Sequence, residues 1–252
     1  MQGFFSWHPL LLLLCFAVLA LCLYLFGARY LRRNIKEGAA SESMPIPVLL
    51  SVLATTWSLA FGFTASDIWS LNAQASQAAS AERSSLSRLL GMTQIDALDD
   101  AQLYKQLLTY RALVSSQEWG NDLNASPNLQ VEHTLQAIRM GLLAQANAGM
   151  TPDTVTARMI DDFDELQDAR TQRLAIGSSN INGYKWCFLI VFSLLVQMAV
   201  AAVHADRLQA GRKAVAWYAM MVALSLYVLA LHVNPYVGVA SVPPQMLFAM
   251  PF

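Results

Sequence analysis

Charge is scarce in this chain. Only 13% of its 252 residues are Asp, Glu, Lys or Arg, where a soluble domain usually carries about 25%, so there is too little charge to dress the surface of an ordinary globule. Cysteine is scarce as well: Cys15, Cys22 and Cys187 all lie within or beside apolar runs. No disulfide framework is implied, and the three read as small apolar fillers. The usual signatures of catalysis are also missing. His8, His133, His204 and His232 are scattered, with no HExxH pair and no cysteine pairs at zinc spacing. There is no GxSxG elbow, no GxxxxGK phosphate loop and no GxGxxG turn. The chain is therefore not expected to be an enzyme, and no catalytic residue, metal site or cofactor is assigned. Residues 1–8 hold no Lys or Arg, and the apolar run behind them is full length, so a span that is retained is expected rather than a cleaved signal peptide.

What the chain has in abundance is apolar sequence, 56% of the whole. It is gathered into four runs at residues 9–30, 46–65, 186–204 and 214–232. Roughly 20 helical residues cross a hydrocarbon core of about 30 Å, and a helix satisfies its own backbone there. The reading is an all-α, multi-pass membrane protein with four transmembrane helices in two pairs. Residues 1–65 hold the first pair, 66–183 a helical extramembrane bundle, 184–233 the second pair and 234–252 an apolar tail. That tail carries Pro235, Pro243, Pro244 and Pro251, which argue against a fifth span. The net charge of −1 hides a segregation of sign. Arg29, Arg32, Arg33 and Lys36 crowd the first short loop, and Arg207, Arg212 and Lys213 the second, while residues 66–183 hold fourteen acids against eight bases. Positive residues favour the cytoplasmic side, so both termini and the extramembrane domain are expected in the periplasm and the protein in a cell inner membrane.

Between the pairs the periodicity is helical throughout, with no strand-like alternation. Leu71, Ala75, Ala78, Ala79, Leu86 and Leu89 continue the second span as one long helix. Gly91 and residues 96–100 punctuate it, and Leu103, Leu107, Leu108, Tyr110 and Leu113 mark the next helix, ending near Gly120. Residues 121–127 read as a turn. Leu129, Val131, Leu135, Ile138, Met140 and Leu143 mark a third helix closed by Gly149. Thr151, Pro152 and Asp153 then form a helix start with a capping hydroxyl, and Val155, Met159, Phe163, Leu166 and Leu174 follow.

Several side chains invite a functional reading beside a plainer one. Ser51, Thr55, Ser58, Gly62 and Ser66 draw a small polar stripe along the second span. Such a stripe lets helices pack closely, or it lines a water-filled pathway in an oligomer. Asp67, just past the stripe, would form a carboxylate ring at the mouth of that pathway, and Phe61 or Phe63 a constriction. Gln197, deep in the third span, either bonds between helices or marks a polar path. Trp57, Trp69, Trp186, Tyr184, Trp217 and Tyr218 read as interface anchors or packing groups. Asp161, Asp164, Glu165 and Asp168 share one helical face, which is either solvated or a cation or partner site.

Three segments together resemble the bestrophin-like family of bacterial membrane proteins. They are residues 59–69 with the helix running to Leu90, residues 103–114 closing on Glu118-Trp119, and residues 169–173 with residues 231–238 beyond. At the last of these the family usually shows an aspartate and an arginine before its Pro-Phe-x-Gly; here Asn234 precedes Pro235 and both charges are missing. The resemblance implies a four-span subunit in a homo-oligomeric ring, similar to bestrophins, which are anion channels with pores lined by the second span. Bestrophins keep their termini and helical bulk in the cytosol, opposite to the side expected here from the basic loops. The expected partners are the lipid bilayer, further copies of the chain and a small ion, and not nucleic acid. The alternative function is a non-conducting scaffold or sensor whose helical domain binds a partner or ligand.

Overall fold

A computed structural model describes residues 8–36, 46–94, 96–120, 123–149, 151–179, 183–238 and 241–247. Residues 1–7 and most of the first basic loop lie outside that set, and with them most of the stretch on which the signal-peptide reading rests. Among the described residues there are seven α-helices and no strand: α1 Pro9–Lys36, α2 Ile46–Met92, α3 Ala101–Gln117, α4 Leu129–Ala148, α5 Asp153–Ser178, α6 Gly183–Val203 and α7 Leu208–Leu231. Four of them, α1, α2, α6 and α7, are long and apolar enough to cross a membrane. The chain divides into two compact units, residues 1–70 with 180–233 and residues 71–179 with 234–252.

In the first unit, α1 packs along α7 and both pack on α6. Apolar area alone does little to hold helices together in lipid, so close approach and buried hydrogen bonds carry more of the association. Both are present. A methyl group on Gly27 would stand 2.7 Å from Gln197 Nε2 and 2.7 Å from Val215 Cγ1. The missing side chain thus lets the Gln197 amide reach between α1 and α7. That amide donates to the Leu23 carbonyl at 3.1 Å and to the Val215 carbonyl at 3.2 Å, which is the interhelical role among the two weighed for Gln197. Gly211 allows a second close approach, to Leu31. Helix α2 joins this unit more loosely, through Trp57, whose indole N–H donates to Ser193 Oγ at 2.8 Å. The Ser193 hydroxyl in turn donates to the Leu189 carbonyl.

The second unit is a helical bundle closed by the tail. The outer half of α2 buries Ala75, Ala78, Leu86 and Leu89 against Leu107 of α3, Ile138 of α4 and Leu166 of α5. The helix ends follow local chemistry: Asp100 caps α3 by accepting from the Leu103 amide at 2.9 Å, Asn128 caps α4, and Gly149 closes α4 at a positive φ of 64°, where a glycine carries no penalty. At Gly177, a methyl group would meet the Asn124 carbonyl oxygen at 2.4 Å, so the 3₁₀ turn Leu123–Ala125 lies directly on α5. Among its described residues the tail forms only the 3₁₀ turn Pro244–Leu247. Its Val242 carbonyl accepts from the Trp119 indole at 3.0 Å, and Tyr236 meets Trp119 edge to face.

One local expectation needs correction, and one helix shows which of its apolar residues pack. Helix α5 starts at Asp153 with Pro152 at its N-cap, and no side chain caps it, so the Thr151 hydroxyl is not the cap. On α4 the buried line is Val131, Leu135, Ile138 and Leu142, whereas Leu129, Met140 and Leu143 are exposed. Several apolar residues on both sides of that helix blurred the period, and spacing of i, i+4, i+7, i+11 picks out the line that packs.

Candidate functional site

Of the four spans, that of α2 is the least covered by the rest of the chain. Of its most apolar window only 6% is buried, against 22% to 39% for the other three spans. Ser51, Thr55, Ser58, Gly62 and Ser66 are all on the exposed side, and a methyl group on Gly62 would meet nothing within 4 Å. The close-packing reading of the stripe therefore has no partner helix within the chain's described residues. At about 100° per residue the five positions fall within a narrow arc centred near Gly62. Trp57 and Ile68, both buried, lie on the far side. The hydroxyl of Ser51 turns back to the Pro47 carbonyl at 3.0 Å, as serine does on an apolar helix.

The side chains expected around the mouth are placed differently from one another. Asp67 stands about 140° around α2 from Gly62 and forms an ion pair with Lys185 of α6. Its carboxylate is half of a neutral pair rather than a lone negative charge. Phe61 and Phe63 lie about 100° to either side of Gly62. Phe61 stacks on Trp57, ring centroids 5.3 Å apart at 14°, while Phe63 is 71% exposed. The aromatic residue in line with the stripe is Trp69, about 20° from Gly62 and exposed.

The acidic face of α5 is solvated in large part. Asp161, Asp164, Glu165 and Asp168 are exposed, with Glu165 paired to Arg88. Among the described residues no group of three or more His, Cys, Asp or Glu is placed to hold a metal ion. Asp162, adjacent in sequence, behaves otherwise: it is fully buried and accepts from Arg88 Nε at 2.7 Å.

The densest chemistry in the chain is a buried ionic cluster in the second unit. Arg173 is fully buried and donates to Glu82 at 2.6 Å and 3.3 Å, to Glu118 Oε2 at 3.2 Å and to the Glu118 carbonyl at 2.8 Å. Arg170 donates to both oxygens of Glu118, at 2.6 Å and 2.9 Å, and to Glu132 at 2.8 Å. The Tyr110 hydroxyl donates to Glu82 at 2.7 Å, and the Arg173 guanidinium lies 5.0 Å from the Trp119 ring centroid. Burial pushes the Glu118 carboxyl upward, but hydrogen bonds from Arg170 and the Asn128 amide, with the two guanidinium charges, outweigh it and hold the group below its ordinary value. Burial, with the Glu82 charge behind it, pushes the Tyr110 phenol well up. The buried core of the cluster pairs two carboxylates with two guanidiniums, the half-exposed Glu132 adding a third acid at its edge; these side chains serve one another, so this cluster is architecture. The motif segments 103–114 with Glu118-Trp119, and 169–173, meet here; Glu82, the acid that unites them, is the one glutamate of the helix to Leu90 that entered the family resemblance, with nothing local to mark its partners.

An all-helical chain with four helices long and apolar enough to cross a membrane, and a helical unit holding a buried ionic cluster, defines a class of integral membrane protein. Within it, a family model, the Bestrophin-like domain, matches residues 14–247, and the chain belongs to the bestrophin-like family. Its fold is similar to crystal structures of a bacterial bestrophin homologue from Klebsiella pneumoniae carrying point mutations. One, at 13% identity, has a TM-score of 0.75 over 92% of this chain and 94% of the other; a second, at 15% identity, has a TM-score of 0.70 over 89% and 93%. No curated protein matches the sequence.

Proposed function

We propose that the chain is the subunit of a homo-oligomeric ion channel that conducts passively, with copies of α2 around the pore and Ser51, Thr55, Ser58, Gly62 and Ser66 facing it. The single observation that carries this reading is the exposure of the whole small polar stripe on the span its own subunit covers least. A second copy, or water, is what such a face fits. Hydroxyls partly replace an ion's hydration shell along a narrow apolar wall. In this reading the outer rim carries Trp69 in line with the stripe, and Asp67 is turned away from it, its charge compensated by Lys185. The helical domain, about residues 66–183, stands outside the bilayer on the side opposite the basic loops, in the periplasm of an inner membrane. The experiment is reconstitution into planar bilayers. Replacing Thr55 and Ser58 together by Leu abolishes single-channel currents, and unchanged conductance rejects the pore assignment.

One observation favours the second reading, a non-conducting scaffold or sensor. Between α3 and α4 lies a cleft of about 560 Å³ lined by Asp100, Leu103, Gln106, Met140, Gly141 and Gln145, and among the described residues the buried Gln106 Oε1 has no hydrogen-bond partner. A ligand amide or hydroxyl there would complete it. The two readings separate on the oligomer viewed down its axis: a monomer or a sealed dimer removes the channel and leaves the cleft.

A further inference from the structure

A groove of about 390 Å³ runs between α2 and α6, lined by Ala60, Phe63, Thr64, Tyr184 and Phe188, with the Asp67 and Lys185 pair at one end. Its walls are otherwise apolar. Thr64 turns its hydroxyl back to the Ala60 carbonyl at 2.8 Å, and the Phe63 and Phe188 rings are exposed. Ala60 lies seven residues along α2 from Asp67, about 10 Å at 1.5 Å per residue, so the groove reaches about a third of the way through a core of about 30 Å. The exposed ring of Tyr184 lines the groove beside Lys185, near the polar end, the place such rings take at the headgroup level. One end is charged and the other greasy, which is the form of a lipid.

The charges select which lipid. We propose that this groove binds a phospholipid whose headgroup carries a primary amine, its phosphate on the Lys185 ammonium, its own ammonium on the Asp67 carboxylate and an acyl chain along Ala60, Phe63 and Phe188. The side chains of Lys185 and Asp67 are 32% and 57% exposed. An ammonium has three donors and a carboxylate about four lone-pair sites, so each has capacity beyond their mutual bond. A neutral, oriented pair complements a zwitterion. A purely anionic headgroup has no ammonium for Asp67 and adds uncompensated negative charge beside it, and a choline headgroup has no N–H to donate to it. The site needs only that α2 and α6 span the bilayer, and does not depend on conduction.

The test uses the full chain, purified in detergent, delipidated and titrated by native mass spectrometry with phosphatidylethanolamine, phosphatidylglycerol and phosphatidylcholine. Phosphatidylethanolamine binds roughly tenfold tighter than either of the others, the size of one charge-assisted hydrogen bond. Asp67→Asn and Lys185→Met each erase that preference, whereas Lys185→Arg, which keeps the charge, retains it. Equal binding of the three lipids, tightest binding of phosphatidylglycerol, or a preference that survives in both Asp67→Asn and Lys185→Met overturns the assignment. So does a disulfide between Phe63→Cys subunits in the membrane, with the native cysteines replaced by alanine, since the groove would then be covered by a second copy.

Discussion

At the scale of single residues, the strongest constraint is the charge balance inside the helical unit. Arg173 has no exposed side-chain surface and serves two carboxylates that have none either. Replacing it by Met leaves Glu118 with Arg170 but the buried Glu82 with only the Tyr110 hydroxyl, and breaking a buried pair from one side costs about 3–5 kcal/mol. Thermal unfolding followed by circular dichroism in detergent shows this as a large drop in midpoint. The same cluster sets an acid limit. Glu118 titrates below its ordinary 4.5 in the folded unit, so its ionised form stabilises the fold. That contribution is complete above about pH 4.5 and is lost as pH falls from there through the depressed value. The unfolding midpoint of the protein therefore declines below about pH 4.5, and Glu118→Gln removes that portion of the decline; an identical slope in the variant would assign it to other carboxylates. The sequence marked Glu118, Trp119, Arg170 and Arg173 only as members of a family pattern. Their meeting point was not legible, because Glu82 lies 91 residues from Arg173 and 28 from Tyr110, and no local spacing encodes a pairing at that range.

At the scale of elements, α2 is the organising helix. Its 47 residues give a rod of about 70 Å, long enough to span a bilayer and still form one wall of the bundle. This continuity was readable, since residues 66–90 contain no Pro or Gly. Which faces of the rod stay uncovered was not readable, because that depends on where α6 lies. The α1, α6 and α7 packing depends on glycine in a way that can be measured. Gly27→Ala pushes a methyl group into the Gln197 amide and Val215, forces the helices apart, and costs about 1–3 kcal/mol. The unfolding midpoint falls, and Gln197→Ala in the same chain recovers part of the loss by making room. If the double variant is no more stable than the single one, Val215 and not Gln197 sets the limit.

For the whole molecule, the family and the fold agree on an all-helical membrane protein, while sidedness rests on seven basic residues at or beside the helix ends that flank two short connections, Arg29, Arg32, Arg33 and Lys36 closing α1 and Arg207, Arg212 and Lys213 opening α7. In a chain whose native cysteines are replaced by alanine, an impermeant maleimide applied to intact cells modifies Thr109→Cys and leaves Arg33→Cys untouched. The reverse pattern inverts the topology and places the helical domain in the cytosol, as in bestrophins.

Composition and order along the chain were enough to read an all-α class and four helices long and apolar enough to cross a membrane, because the length and polarity of a helix are local properties of its residues. The tertiary structure decided what local properties cannot carry: that the small stripe of α2 has no cover within its subunit, that Asp67 is neutralised by a lysine 118 residues away, and that the family's scattered acid, tryptophan and arginines form one buried cluster. Each of these depends on which helix lies beside which, and that choice is made by packing complementarity and charge balance between segments far apart in sequence.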